Sequence, residues 1–307
     1  MTSISTSNSA FYERSIMDLA SLRSQAQDLQ TSLSSGQRLA RSSDDPVAAS
    51  RLRQLALADN VSGIDEVNAQ RASTDLQLTD GALSSFADYV ARTKELATQA
   101  ANGTMTDAQR AGIGQEISAI RDNVIQLANS RNAAGGALFG GQSAGDAYGT
   151  DPTTGLYGYI GTASPNALPL GDGQTVTPAL TGPQVLGFTV GGSSTDLLAA
   201  LKTLGDALQA GGAAAQAAAK DGIAAMNAAT DSITTAQTVV GSRMAWLDLT
   251  TTRRTDLSQM RADEENTVGG TDAASTIARL QQTMTVLEAS QASFVKLAGL
   301  SLFNLLN

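Results

Sequence analysis

The sequence predicts a mainly α chain with a small β-rich insert: an elongated subunit whose N- and C-terminal helices are paired as a coiled coil, with a helical-bundle body and a β-rich outer domain. Three observations carry this. Apolar residues recur at alternating spacings of three and four near both ends. Further 3-4 repeats fill the segments just inside those ends. From Gly135 to about Ser194 the helical period is lost, and Gly, Pro and Thr concentrate instead.

Past a Ser/Thr-rich start, residues 1 to about 34 read as one helix with its stripe on Leu19, Leu22, Ala26, Leu29 and Leu33, stopped by Gly36. Ser42-Ser43-Asp44-Asp45-Pro46 is a helix start. The Asp45 carboxylate can accept from free backbone N–H groups, and Pro46 at the first helical position sacrifices no hydrogen bond. The helix it opens holds a 3-4 repeat through Leu76, Thr79, Leu83, Phe86, Val90, Thr93, Ala97 and Ala100, with Asn102-Gly103 as its C-cap. Thr106 with Gln109 fits a capping box ahead of Ile113, Ile117, Ile120, Val124 and Leu127, so a helical hairpin spans 46–130.

In the insert, Tyr157 to Ile160 and Val185 to Val190 alternate as strands do. Helix resumes at Asp196, a cap for Leu197, Leu198, Leu201 and Leu204. After a Gly/Ala stretch at 210–219, a long helix carries Ile223, Met226, Ile233, Val240, Met244 and Leu247. Gly269-Gly270 breaks it, and Thr271 or Asp272 caps a last helix with Ile277, Leu280, Met284, Leu287 and Phe294 on its seam. The terminal cluster of Phe294, Leu297, Leu300, Leu302, Phe303, Leu305 and Leu306 is expected to face other subunits or to be covered by a chaperone. The domain expectation is therefore a terminal helix at 1–43, a body at 44–141 and 196–268, an insert at 142–195, and a second terminal helix at 269–307.

Composition argues against chemistry. The chain has no Cys and no His, which removes disulfides, thiolate nucleophiles, the usual zinc sites and imidazole acid/base catalysis. No catalytic residue, metal or cofactor is expected. The net charge of −9 and the interruption of Arg38, Arg41, Arg51 and Arg53 by Asp44 and Asp45 disfavour nucleic acid or an anionic membrane as partner. No apolar run is long enough to cross a membrane, and the first thirty residues lack the pattern of a cleaved secretory signal. Asp263-Glu264-Glu265 points in different directions on a helix, so it reads as solvated surface rather than a cation site. The glycine-rich 135–141 stretch lacks the Lys-Ser/Thr of a phosphate loop.

Ser34 to Leu52, SSGQRLARSSDDPVAASRL, and Gly299 to Asn307, GLSLFNLLN, together resemble the flagellin superfamily. Ser43-Asp44-Asp45-Pro46 followed by Val47-Ala48-Ala49-Ser50 is similar to its hook–filament junction branch, whereas filament flagellins usually carry an alanine-rich version without that proline. Ala101-Asn102-Gly103-Thr104 with Asp107 and Arg110, Leu138-Phe139-Gly140-Gly141, and Val240-Gly241-Ser242-Arg243 also fit. The resemblance implies a flagellin-like subunit that is guided by a cytoplasmic export chaperone. It would leave through the flagellar type III channel with its N-terminus uncleaved, and polymerise with itself as a ring between hook-associated protein 1 and flagellin. A filament flagellin remains the alternative, and a carbohydrate-binding or enzymatic module in the insert a more distant one. Burial along so narrow a stripe does not offset the backbone entropy of the terminal helices, so these are expected to be mobile in the free subunit.

Overall fold

The computed structural model describes residues 2–151 and 157–305, and the side chains of residues 10–151 and 157–297. The chain divides into two compact units, one of residues 1–60 with 256–307 and the other of residues 61–255. Seven helices and six short strands are found among the described residues.

The first unit contains α1 (Thr2–Ser35), the start of α2 (Pro46–Ala100), the end of α6 (Gly212–Gly269) and α7 (Ala273–Leu305). Asp45 opens α2: its Oδ1 accepts from the Ala48 N–H at 3.0 Å while its carbonyl accepts from Ala49. The start of α2 and the end of α6 bury Ala48, Ala49 and Leu55 and are tied by two ion pairs. Arg51 holds both oxygens of Glu264, at 2.6 and 2.8 Å, and the Arg261 Nε donates to Asp59 at 2.6 Å.

The second unit holds the hydrophobic core. On α2 the predicted 3-4 repeat of Leu76, Thr79, Leu83, Phe86, Val90, Thr93, Ala97 and Ala100 is buried, and Ala72 extends it one step toward the start of the helix. Its apolar members share one buried cluster with residues of α3 (Asp107–Ala128), started by the Thr106–Gln109 capping box, and with Ala215, Ala219, Met226, Ala229, Ile233, Ala236 and Val240 of the first part of α6, a set that is mostly alanine. The 210–219 stretch is therefore largely helix. Alanine has the highest helix propensity.

Between α3 and α5 (Leu197–Ala210) the backbones meet at two glycines. A Cβ on Gly114 would lie 2.8 Å from the Gly205 carbonyl oxygen, and one on Gly205 would lie 3.3 Å from that of Gly114. The end of α2 is finished by local bonds, among them the Asn102 N–H to the Gln99 carbonyl, and by a distant side chain. Arg110, 7% exposed, donates Nε to the Ala100 carbonyl at 3.1 Å and Nη2 to that of Asn102 at 3.0 Å. A guanidinium against a helix C-terminus satisfies orphan carbonyls and opposes the negative end of the dipole.

The insert is not one sheet. It consists of three antiparallel hairpins: β1 (Tyr148–Thr150) with β2 (Tyr157–Tyr159), β3 (Leu168–Gly171) with β4 (Gln174–Val176), and β5 (Gly187–Val190) with β6 (Ser193–Asp196). The Val185–Val190 run is strand only from Gly187; Val185 and Leu186 close a short helix, α4 (Gly182–Leu186). Thr181, bonded through its N–H to the Gln184 side chain, and Pro183 start that helix and override the alternation. Side chains from the helices grip the insert's backbone. Asn129 brackets Tyr148, accepting from its N–H at 2.8 Å and donating to its carbonyl at 2.9 Å. Ser232 donates to Gly187, and the Arg243 Nη1 donates to Thr177 and Ala179. Tyr148, Leu170, Val176 and Leu180 are buried in the same core as the helices, so the insert is anchored in that core.

Candidate assembly surface on the terminal helices

The site predicted from sequence is the pairing of α1 with α7, both in the first unit. Along α1 the half-buried residues are Tyr12, Ser15, Leu19, Leu22, Ala26, Leu29, Ser32 and Leu33, and the five predicted seam positions are all among them. Their neighbours are exposed, so α1 offers a single stripe. The Tyr12 ring meets Phe294 of α7 edge-on, with centroids 5.6 Å apart.

On α7 the covered positions are Thr276, Leu280, Thr283, Leu287, Ser290, Gln291 and Phe294. Leu280, Leu287 and Phe294 are thus brought to the seam. Ile277, Met284 and Leu297 are 41%, 49% and 46% exposed and lie off it. The side chains of Leu300, Leu302 and Phe303 lie outside the described residues. Sequence reasoning missed Thr276 and Thr283. The spacing 276-280-283-287-290-294 is as regular as 277-280-284-287-291-294, and apolarity favoured the second; only the partner helix decides between them.

Consequently α7 carries apolar side chains on more than one side. Ile277, Met284, Val286, Val295 and Leu297 remain exposed beside the seam, and Phe11, Ile16 and Met17 do so on α1. Between the two helices an open groove of about 380 Å³ is lined by Phe11, Leu19, Leu22, Val286, Phe294 and Leu297 among others. No ion pair joins α1 to α7 among the described residues, so apolar contact is what holds them. Such a surface can bury further helices.

The helix cap sits at the base of this pair. Pro46 is the first residue of α2, and Asp45 is held below the ordinary carboxylate range, first by the Ala48 N–H and then by Arg38. The Arg38 Nη2 lies 3.2 Å from the Asp45 Oδ2 and also donates to the Val268 carbonyl at 3.0 Å. The stretch after α1 and the stretch before α7 pair as an antiparallel bridge, with the Thr271 N–H donating to Gly36 at 2.9 Å and the Arg38 N–H to Gly269 at 2.8 Å. Asp272 then starts α7, accepting from Ala274 and Ser275.

Residues 4–144 match the family described as the bacterial flagellin N-terminal helical region. The chain is 24% identical to flagellar hook-associated protein 3 of Salmonella typhimurium over 315 residues, covering 97% of this chain and 98% of that one. The flagellar filament 41 kDa core protein of Borreliella burgdorferi is 35% identical over 102 residues, 33% of this chain and 30% of that protein. The crystal structure of flagellar hook-associated protein-3 from Legionella pneumophila has the same fold, with a TM-score of 0.63 at 14% identity over 70% of this chain and 98% of that one. The resemblance to the flagellin superfamily read from the two ends is borne out, and to flagellar hook-associated protein 3 it runs the length of the chain.

Proposed function

We propose that the chain is a structural subunit of the bacterial flagellum, seated where the hook meets the filament. It polymerises with itself as a ring, contacts hook-associated protein 1 on the hook side and flagellin on the other, and performs no catalysis. The observation that carries this reading is the distribution of similarity. The Salmonella hook-associated protein matches from end to end, whereas the Borreliella filament protein matches over a third of this chain. The exposed apolar residues on α1 and α7 support self-assembly, since so many beside a half-covered seam are the usual mark of a further interface.

The leading assignment of site residues follows from this. Leu19, Leu22, Ala26, Leu29, Leu33, Leu280, Leu287 and Phe294 hold the pair together, while Ile277, Met284, Leu297, Leu300, Leu302 and Phe303 meet neighbouring subunits. A cytoplasmic chaperone covers such surfaces before export through the type III channel, and the absence of cystine suits a chain that must be threaded unfolded. Electron microscopy of a strain lacking the gene tests the reading. Intact hooks without filaments are expected, and normal filaments would overturn it. Gold-labelled antibody should mark one band at the junction; label along the whole filament would favour a filament flagellin instead.

A further inference from the structure

The short bridge between Gly36–Arg38 and Gly269–Thr271 lies where four helix ends converge: the C-terminal ends of α1 and α6 and the N-terminal ends of α2 and α7. We infer that this clasp is a fraying stop, which lets the α1–α7 pair open while holding the α2–α6 ends closed, with Arg38 as the residue that locks it. The inference is independent of the proposed function, since it concerns the order of the isolated chain.

Four features converge on it. The clasp has its own backbone bonds, Arg38 to Gly269 and Thr271 to Gly36, which do not depend on any α1–α7 side-chain contact. Its two strands are shaped by glycine: Gly36 leaves α1 at a φ of 70°, and a Cβ on Gly270 would collide with the Asn266 carbonyl. One guanidinium nitrogen of Arg38 joins the last turn of α6, through the Val268 carbonyl, to the Asp45 carboxylate that starts α2. A cation at a helix C-terminus and an anion at a helix N-terminus each oppose the local dipole, and here they also oppose each other. Finally, contact resumes immediately behind the clasp. Leu52 packs at Gly269, where a Cβ would be 3.0 Å from its Cδ1, and Arg51 grips Glu264.

On the other side the α1 seam is half-buried throughout. Opening from the chain ends therefore meets its first residue-specific lock at Arg38. Local opening stops where the contacts of the next cooperative group begin, and the clasp defines that edge.

Hydrogen exchange on the purified full-length chain tests this with two variants, Arg38→Ala and Gly270→Ala. In the unmodified chain the amides of 12–33 should exchange at least about tenfold faster than those of 48–60 and 258–268. Each variant should raise exchange in 48–60 and in 258–268 by about tenfold while leaving α3 and α5 unchanged, which also certifies that the chain is folded. Arg38→Lys should fall between, because an ammonium keeps the charge on a shorter side chain. Equal exchange of 12–33 and 48–60 in the unmodified chain would overturn the inference, as would variants whose effect stays within 36–45 or extends to α3 and α5.

Discussion

Two glycines on one turn of α3 should respond to the same substitution with opposite sign. Gly112 is exposed, and a Cβ there meets nothing within 4 Å. Gly112→Ala should therefore express only the helix propensity difference, a gain of about 0.5–1 kcal/mol. At Gly114 the added methyl would lie 2.8 Å from the Gly205 carbonyl oxygen, 2.9 Å from the Gln209 Cγ and 3.1 Å from the Gln209 nitrogen. Two of those three atoms belong to the backbone of a packed helix and cannot rotate away, so α3 and α5 must part. Overpacking of this kind costs about 1–3 kcal/mol, and the backbone clash places it in the upper half of that range. After the propensity gain is subtracted, Gly114→Ala should destabilise by about 1–2 kcal/mol, some 2 kcal/mol or more from its neighbour. Trp246, the single tryptophan, packs against the same core and reports on it, so urea unfolding followed by its fluorescence is the assay. A Gly114→Ala chain as stable as the Gly112→Ala chain would refute the close approach of the two backbones.

Arg110→Ala removes the donors to Ala100 and Asn102 and should destabilise the second unit by about 2–3 kcal/mol in the same assay, with Arg110→Lys recovering less than half, since a lysine cannot span both carbonyls. Asp45 and Glu264 have carboxyls held below their ordinary values of 3.8 and 4.5 by, respectively, the Ala48 N–H and Arg51. Their contribution is complete above those values and is lost as the pH falls through the lower folded-state values. Protection of 48–60 against exchange should accordingly begin to drop as acid is added below 4.5 and drop further below 3.8, and no drop by about pH 2 would contradict the assignment. Amides of Leu19–Leu33 should exchange quickly in the isolated subunit, and slow, core-like protection there would argue that the terminal pair is already satisfied. A chain ending after Ala298 should fail to join the appendage while its second unit keeps its unfolding midpoint; normal incorporation would remove the case for an assembly role of the last residues.

Much of this fold is legible because its helices are long and their faces repeat. The stripe from Leu76 to Ala100 on α2 is read directly as spacing, and burial follows it residue for residue. Helix starts are equally plain, since Asp45, Thr106 and Asp196 each act on backbone within three residues. What spacing does not reveal is anything that depends on a second element. Thr276 and Thr283 replace Ile277 and Met284 on the seam because α1 sets the rotation of α7. The end of α2 depends on Arg110, ten residues beyond the carbonyl it serves. The backbone of the insert is held by Asn129, Ser232 and Arg243, which lie outside the insert's own sequence. Gly114 and Gly205 look like weak points in their helices until the crossing of α3 and α5 is known.

The way the helices begin bears on how such a chain acquires shape. Asp45, Thr106, Asp196 and Asp272 each close their cap on an N–H no more than three residues downstream. Nucleation is the unfavourable step of helix formation, and these caps lower it with atoms that arrive almost together. The helices these caps open can thus be seeded as soon as their first turn is free, and the slower work left is sideways docking of rods already formed.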